Sequence, residues 1–238
     1  MALYVPPEND YGAPAEPMGH VFVESNWVYS YSAPAHHKRQ DAVNLLVRAE
    51  NGEIRLHVPA ICLTEARQAI LARCQPRAEA NAVRRFLARG RNDQTVSDEE
   101  DRVTRLVLQR FEHQVQAELR SLDDSLAALR AKPGVDVFPL SERMLERAVE
   151  LTGLNLSLKP FDQAILAAVP GRARELSDEG EREFCFCELD SDLQPWDKSD
   201  NAKQPLTGLY DAEFVWVYGD FSMEEPKRPE GWPRLTEA

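Results

Sequence analysis

Order along the chain first shows at Val21-Phe22-Val23-Glu24, where three consecutive apolar β-formers are followed at once by an acid. A run apolar on both faces is the pattern of a strand buried in a parallel sheet, so residues 21 to 24 are read as the first strand. Ser25 and Asn26 offer N-cap chemistry to a helix beginning near Trp27. Val43, Leu46 and Val47 share one face of a helix over Arg39 to Glu50, which Asn51-Gly52 stops. Ile54 to Val58 reads as the second strand, broken by Pro59. The following helix, Leu63 to Arg73, turns Leu63, Ala66, Ala69 and Ile70 inward, and another runs over Arg77 to Ala88, ended by Gly90.

Ser97 and Glu100 form a capping box. Behind it Val103, Leu106, Val107, Phe111, Val115, Leu119, Leu122, Leu126 and Leu129 mark one long amphipathic helix from Asp98 to about Ala131. Asp136 to Phe138 is a short strand, and Ser141 caps a helix that reaches Thr152 before Gly153. Pro160 opens a helix to Val169, with Ile165, Leu166 and Val169 facing the core. Strands at Glu183 to Leu189 and Glu213 to Tyr218 complete the pattern. Strands alternating with helices in this order predict a three-layer α/β/α sandwich around a mostly parallel sheet. The expected organisation is an extended or disordered arm over 1–19, one domain over 20–221 with a helical insertion at about 97–131, and a Pro-rich tail over 222–238.

Of the 238 residues, 43% are hydrophobic and 29% charged, which excludes collagen-like, wholly disordered and membrane-spanning classes. No apolar run approaches the roughly 18 to 20 residues of a membrane helix, and residues 1–17 lack the basic start and apolar stretch of a signal peptide. The cytoplasm is therefore the expected compartment, with no membrane partner. Of the 4 cysteines, Cys185 and Cys187 alternate as in a strand, without zinc-knuckle or redox spacing, and are read as reduced, packed thiols. The net charge of −12 argues against non-specific coating of nucleic acid. Its distribution is uneven: residues 36–95 carry 11 basic and 6 acidic side chains, whereas 172–238 carry 8 and 17. His36 and His37 sit in a polar stretch, where adjacent histidines are ordinarily just solvated, and are given no role.

The candidate chemistry is in acids at element ends. Glu24 follows the first strand, where open parallel sheets place their ligands. Glu65 lies in the first turns of the helix after the second strand, Asp162 in the first turn after Pro160, and Asp190 and Asp192 just past the strand at 184–188. Singly, each has an ordinary explanation as a solvated end, a helix-dipole acid or a turn residue. Together they leave one edge of a right-handed parallel sheet. Carboxylates about 4 Å apart repel by roughly 4 kcal/mol per pair at an effective dielectric of about 20. A hard divalent cation removes that repulsion, and oxygen-only ligands select Mg²⁺ or Mn²⁺ over zinc.

Val-Phe-Val-Glu24-Ser25-Asn26, Val-Pro-Ala-Ile-Cys-Leu-Thr-Glu65, Lys-Pro-Phe-Asp162-Gln-Ala-Ile-Leu-Ala-Ala and Phe-Cys-Glu-Leu-Asp190-Ser-Asp192, in this order over most of 20–218, resemble the signatures of the PIN domain. The resemblance implies a parallel-sheet α/β/α sandwich and metal-dependent hydrolysis of RNA. On it, Glu24, Glu65, Asp162 and Asp190 are catalytic metal-holding acids, Asp192 is a further neighbour, and Ser25 or Asn26 supports the site. Lys38, Arg39, Arg73, Arg77, Arg84 and Arg85 become candidates for holding phosphates of single-stranded or structured RNA. Glu24 departs from the family's usual Asp; its extra methylene moves the carboxylate by about 1 Å.

That departure, the acidity and the long amphipathic helix equally suit a PIN-like scaffold without catalysis, acting on a protein partner or as a homodimer. A small-molecule phosphatase or receiver-like module fits less well, since a paired Asp on the first strand and a suitably placed Lys are both missing.

Overall fold

A computed structural model describes residues 19–223 apart from 155, 157, 198, 200 and 201. Of the arm read at 1–19 and the tail read at 222–238, residues 1–18 and 224–238 lie outside the described residues. The elements are β1 (His20–Val23), α1 (Ser25–Ser32), a 3₁₀ turn (Ala35–His37), α2 (Gln40–Glu50), β2 (Arg55–Pro59), α3 (Ala60–Arg73), α4 (Pro76–Asn92), α5 (Asp98–Arg120), α6 (Leu122–Leu129), β3 (Val135–Phe138), α7 (Glu142–Thr152), α8 (Pro160–Asp178), β4 (Phe184–Cys187), α9 (Leu206–Asp211) and β5 (Val215–Tyr218). The five strands form one parallel sheet in the order β3-β2-β1-β4-β5. Right-handed crossovers place the helices between β1 and β3 on one face and those between β3 and β5 on the other, giving the expected three-layer α/β/α sandwich.

The sheet is dry at its centre because its strands are apolar on both faces. Phe22, Val23, Leu56, Val58, Phe186 and Cys187 are all fully buried. One polar seam crosses the lower sheet: His20 Nδ1 meets His57 Nε2 at 2.9 Å, and His57 Nδ1 meets Asp136 at 2.9 Å, which also accepts from Arg172. Burial holds His57 below its ordinary pKa, and the His57 hydrogen bond holds Asp136 low. All four cysteines are free thiols, and burial pushes Cys185 up to about 11. No helix among the described residues is long and apolar enough to cross a membrane.

Several boundaries differ from the sequence reading, each for a physical reason. The cap of α1 is Glu24, not Ser25 or Asn26: its carboxylate accepts the Asn26 backbone N–H at 2.7 Å, so the acid itself closes the helix start. Pro59 ends β2 but sits as the residue before α3, so that helix begins at Ala60 rather than Leu63. Gly90 does not stop α4, because the Val96 side chain packs where a Cβ would stand, 2.4 Å away, and the helix runs on to Asn92.

The long helix breaks at Ser121. Beyond it, α6 buries Leu122, Leu126 and Leu129 in the core against α1 and α3, whereas α5 pairs with α4 and leaves Val103, Leu106 and Val107 exposed. The helix expected over 98–131 is therefore two: α5 forms a helical hairpin with α4, and α6 packs into the body. Finally, α8 continues through Pro170 to Asp178. Pro170 costs one backbone hydrogen bond, but Ala167, Ala168, Val169, Ala173 and Leu176 are all buried, and that face outweighs the break.

Gly134 adopts φ +71° just before β3, and a Cβ there would stand 2.1 Å from the Ala49 carbonyl oxygen at the end of α2. Gly52, at φ +77°, has nothing within 4 Å. Gly134→Ala should therefore cost about 2 to 4 kcal/mol and Gly52→Ala only about 1 kcal/mol, the strain of the left-handed conformation alone. Thermal or urea unfolding of the two variants checks the difference; equal losses would contradict it.

Candidate metal centre

Strand order reverses between β1 and β4. The chain leaving β1 turns toward β2, and the chain leaving β4 turns toward β5, so a crevice opens at the carboxyl ends of these two neighbours. Their register is Val23 opposite Cys187. The next residue on each strand is therefore a glutamate, Glu24 beside Glu188, at the mouth of that crevice. Glu24 is 3% exposed and Glu188 0%.

Glu188 is the acid that the sequence reading passed over, although a signal was there: four strand residues followed by Glu in 20–24 recur in 184–188. A strand read through Leu189 places Glu188 inside it, whereas the ladder ends at Cys187.

Around this pair the other acids gather. The Ser25 hydroxyl at the start of α1 donates to the Glu65 carboxylate on α3, which fixes Glu65 toward β1. Asp162, buried in the first turn of α8, accepts weakly from the Lys159 backbone N–H at 3.3 Å. Asp190 accepts from the Asp192 backbone N–H at 2.9 Å, and the carboxylates of Asp162, Asp190 and Asp192 each bring one oxygen within 4.8 Å of the other two. Of the acids read as one group from the sequence, Asp162 and Asp190 come together with Asp192, while Glu24 and Glu65, with Glu188, lie close enough for their charges to act on one another and on this group. Asp192 is on the exposed rim.

The electrostatics follow from crowding. Burial pushes Glu24 up to about 8, against the Asn26 backbone hydrogen bond, and the charges of Glu65 and Asp190 push it further the same way. Glu188 is raised well above the ordinary carboxylate range, first by burial and then by the Glu24 charge; the nearby Asp190 amide offsets this only in part. Asp162 is raised by burial and by Asp190. Among the described residues no Lys or Arg forms an ion pair with any of these six acids. Three buried oxygens, Oε1 of Glu24 and both of Glu188, lack a hydrogen-bond partner. Buried polar atoms are ordinarily satisfied. An all-oxygen set suits a hard divalent cation such as Mg²⁺ or Mn²⁺; Asp162, Asp190 and Asp192 are the acids whose oxygens converge closely enough to share one, and Glu24 and Glu188 couple to them by charge.

The basic candidates are differently disposed. Arg39 is locked to Asp41 by its Nε at 3.0 Å, and Arg84 pairs with Glu112 across the hairpin, so both charges are answered within the fold. Lys38 lies over the Tyr31 ring and Arg73 over the Tyr29 ring. Arg77 and Arg85 are exposed on α4. A separate groove of about 280 Å³ between α7, α8 and α9, lined by Met144, Leu151, Leu166, Pro170, Arg174 and Leu209 among others, shares no residue with the acids. Comparison with protein-family models, with curated proteins and with solved structures finds no match in any of the three.

A pH dependence follows. The folded value of Glu24 lies above its unfolded value of 4.5, so the unfolded chain ionises first and native stability falls as the pH rises from about 4.5 to about 8. Glu24→Gln removes that penalty while keeping an oxygen to accept the Asn26 N–H. In EDTA it should therefore gain roughly 2 to 4 kcal/mol at pH 8 and change little near pH 4.5. Melts at the two pH values read this directly, and an equal effect at both would contradict the assignment.

Proposed function

We propose that the protein is a PIN-like, metal-dependent endoribonuclease that hydrolyses RNA phosphodiester bonds through a Mg²⁺ or Mn²⁺ ion held at the β1–β4 crevice. The observation that carries this reading is the gathering of acids at the carboxyl edge of a parallel sheet, where Asp162, Asp190 and Asp192 bring their oxygens together and the neighbouring Glu24 and Glu188 hold three buried oxygens without a hydrogen-bond partner, with no ion pair to a Lys or Arg among the described residues. A structural role alone would be expensive, since dry, unpaired carboxylates cost stability.

When bound, the ion would lower the pKa of a water and neutralise charge on the scissile phosphate. The chain's own part is positional. Ser25 turns Glu65 inward by its hydroxyl hydrogen bond. The Asn26 amide holds one oxygen of Glu24, leaving the other to face the crevice. Asp190, held by the Asp192 amide and less buried than Glu24 or Glu188, is the group to take a proton from an attacking water. No side chain need act as nucleophile. Glu24, longer than an Asp, already spends one oxygen on closing α1, and the fully buried Glu188 stands beside it where the extra length matters.

A non-catalytic scaffold is the second reading, and one observation favours it: Val103, Leu106 and Val107 on α5 are 47%, 49% and 58% exposed, an apolar stripe at helical spacing on the α4–α5 hairpin.

Two experiments separate these readings. Incubation of the full chain with end-labelled single-stranded and structured RNA should give internal cleavage with Mn²⁺ or Mg²⁺ and none with EDTA; intact RNA in all three would favour the scaffold. Asp162→Asn keeps the helix start but removes one negative charge. It should weaken Mn²⁺ binding and cleavage while leaving the EDTA melt level or higher, whereas a mere helix-dipole role would cost up to about 1 kcal/mol of stability and leave Mn²⁺ binding unchanged.

A further inference from the structure

The 3₁₀ turn that joins α1 to α2 carries His36 and His37, and α4 carries Glu79 in its first turn. Side chains of adjacent residues in such a turn ordinarily diverge by about a third of a revolution. Here they converge. The two imidazole rings lie 4.3 Å apart, His36 Nε2 is 3.0 Å from one oxygen of Glu79, and His37 Nε2 is 3.1 Å from the other. The three ligand atoms all lie within 4.8 Å of one another.

The arrangement is anchored from behind. Ala35 N–H donates to Glu118 of α5 at 2.9 Å, the His36 ring meets the Phe111 ring of α5 edge-on at 5.2 Å, and Arg39 N–H returns to the Ser30 carbonyl at 3.0 Å. The turn is thus presented to α4 and α5 in one orientation, with both Nε2 atoms aimed at a single carboxylate.

The geometry points to a second metal site, in which His36 Nε2, His37 Nε2 and a Glu79 oxygen bind one Zn²⁺ ion and clip the α1–α2 connection to the α4–α5 hairpin. Two imidazoles and one carboxylate are a borderline donor set that prefers Zn²⁺ to the hard cations suited to the all-oxygen crevice. Ligand lengths of about 2.0 to 2.2 Å require each group to move only about 1 Å from the metal-free hydrogen-bonded arrangement. Each imidazole moves its proton from Nε2 to Nδ1 on binding, so Nε2 offers a lone pair, and Glu79 exchanges two N–H donors for the cation. Both rings are partly exposed, which leaves the remaining coordination position to water. No residue is shared with the acidic crevice, and the inference does not rest on the proposed nuclease activity.

The test uses the full chain with Mg²⁺ in excess, so that the crevice does not report. Titration with Zn²⁺ should show one equivalent bound and a raised Tm. Co²⁺ in its place should give visible absorption bands of nitrogen-ligated, low-coordinate cobalt, which carboxylates alone do not produce. His36→Gln and His37→Gln should each weaken Zn²⁺ binding at least about tenfold and abolish the bands, and Glu79→Gln should weaken binding likewise. Asp162→Asn should retain the site in full. A parent that binds no Zn²⁺, or histidine variants that bind it as the parent does while melting normally without metal, would overturn the proposal.

Discussion

Negative charge forced out of water at one end of the sheet is the constraint on which the rest of the molecule turns. Glu24 and Glu188 stand side by side because β1 and β4 are in register, and they are dry because the strands beneath them and the helices beside them are apolar. With Glu65, Asp162 and Asp190 close by, the cluster persists only if it takes up protons or a cation. Without metal Glu24 and Glu188 take up protons, since burial pushes Glu24 up to about 8 and raises Glu188 well above the carboxylate range. The same crowding that makes the metal-free fold less stable at high pH would make a divalent ion bind with favourable linkage to folding.

Local devices tune this cluster one residue at a time. Glu24 closes α1 with one oxygen, and Ser25, the next residue, reaches across to Glu65 on α3. A helix start and the orientation of Glu65 are thus set by three consecutive residues of the chain. Asp162 is placed by Pro160, which fixes the first turn of α8, and Asp190 by the turn that follows β4. Packing supports the same end: α8 continues past Pro170 because its apolar face is needed under the sheet, and this keeps its first turn at the crevice.

The strand-helix alternation, the parallel sheet and the acids at its carboxyl edge were legible in the sequence, because apolar runs ending in an acid say both where a strand stops and what stands there. Glu188 escaped notice because the strand was read one turn of the pattern too long, so an acid at the edge looked like an acid inside. Proline and glycine punctuation misled where tertiary contacts overrule it: Pro170 and Gly90 both sit inside helices, the first held by a buried face and the second by Val96 against its backbone. The basic candidates fared differently again. A count of arginines in 36–95 does not reveal that Arg39 and Arg84 are answered by Asp41 and Glu112, contacts that exist only after folding. Nor does the pair His36-His37 announce that both rings turn to Glu79, since that depends on how α4 lies against the turn.

The central claim is that Glu24 and Glu188 are held protonated without metal and ionised with it. Calorimetric titration of the full chain with Mn²⁺ at pH 7, repeated in buffers of different ionisation enthalpy, counts the protons exchanged on binding. The account gives a net release of roughly one to two protons per ion, falling in Glu188→Gln. Mn²⁺ binding with no proton release, or no binding at all, would contradict it.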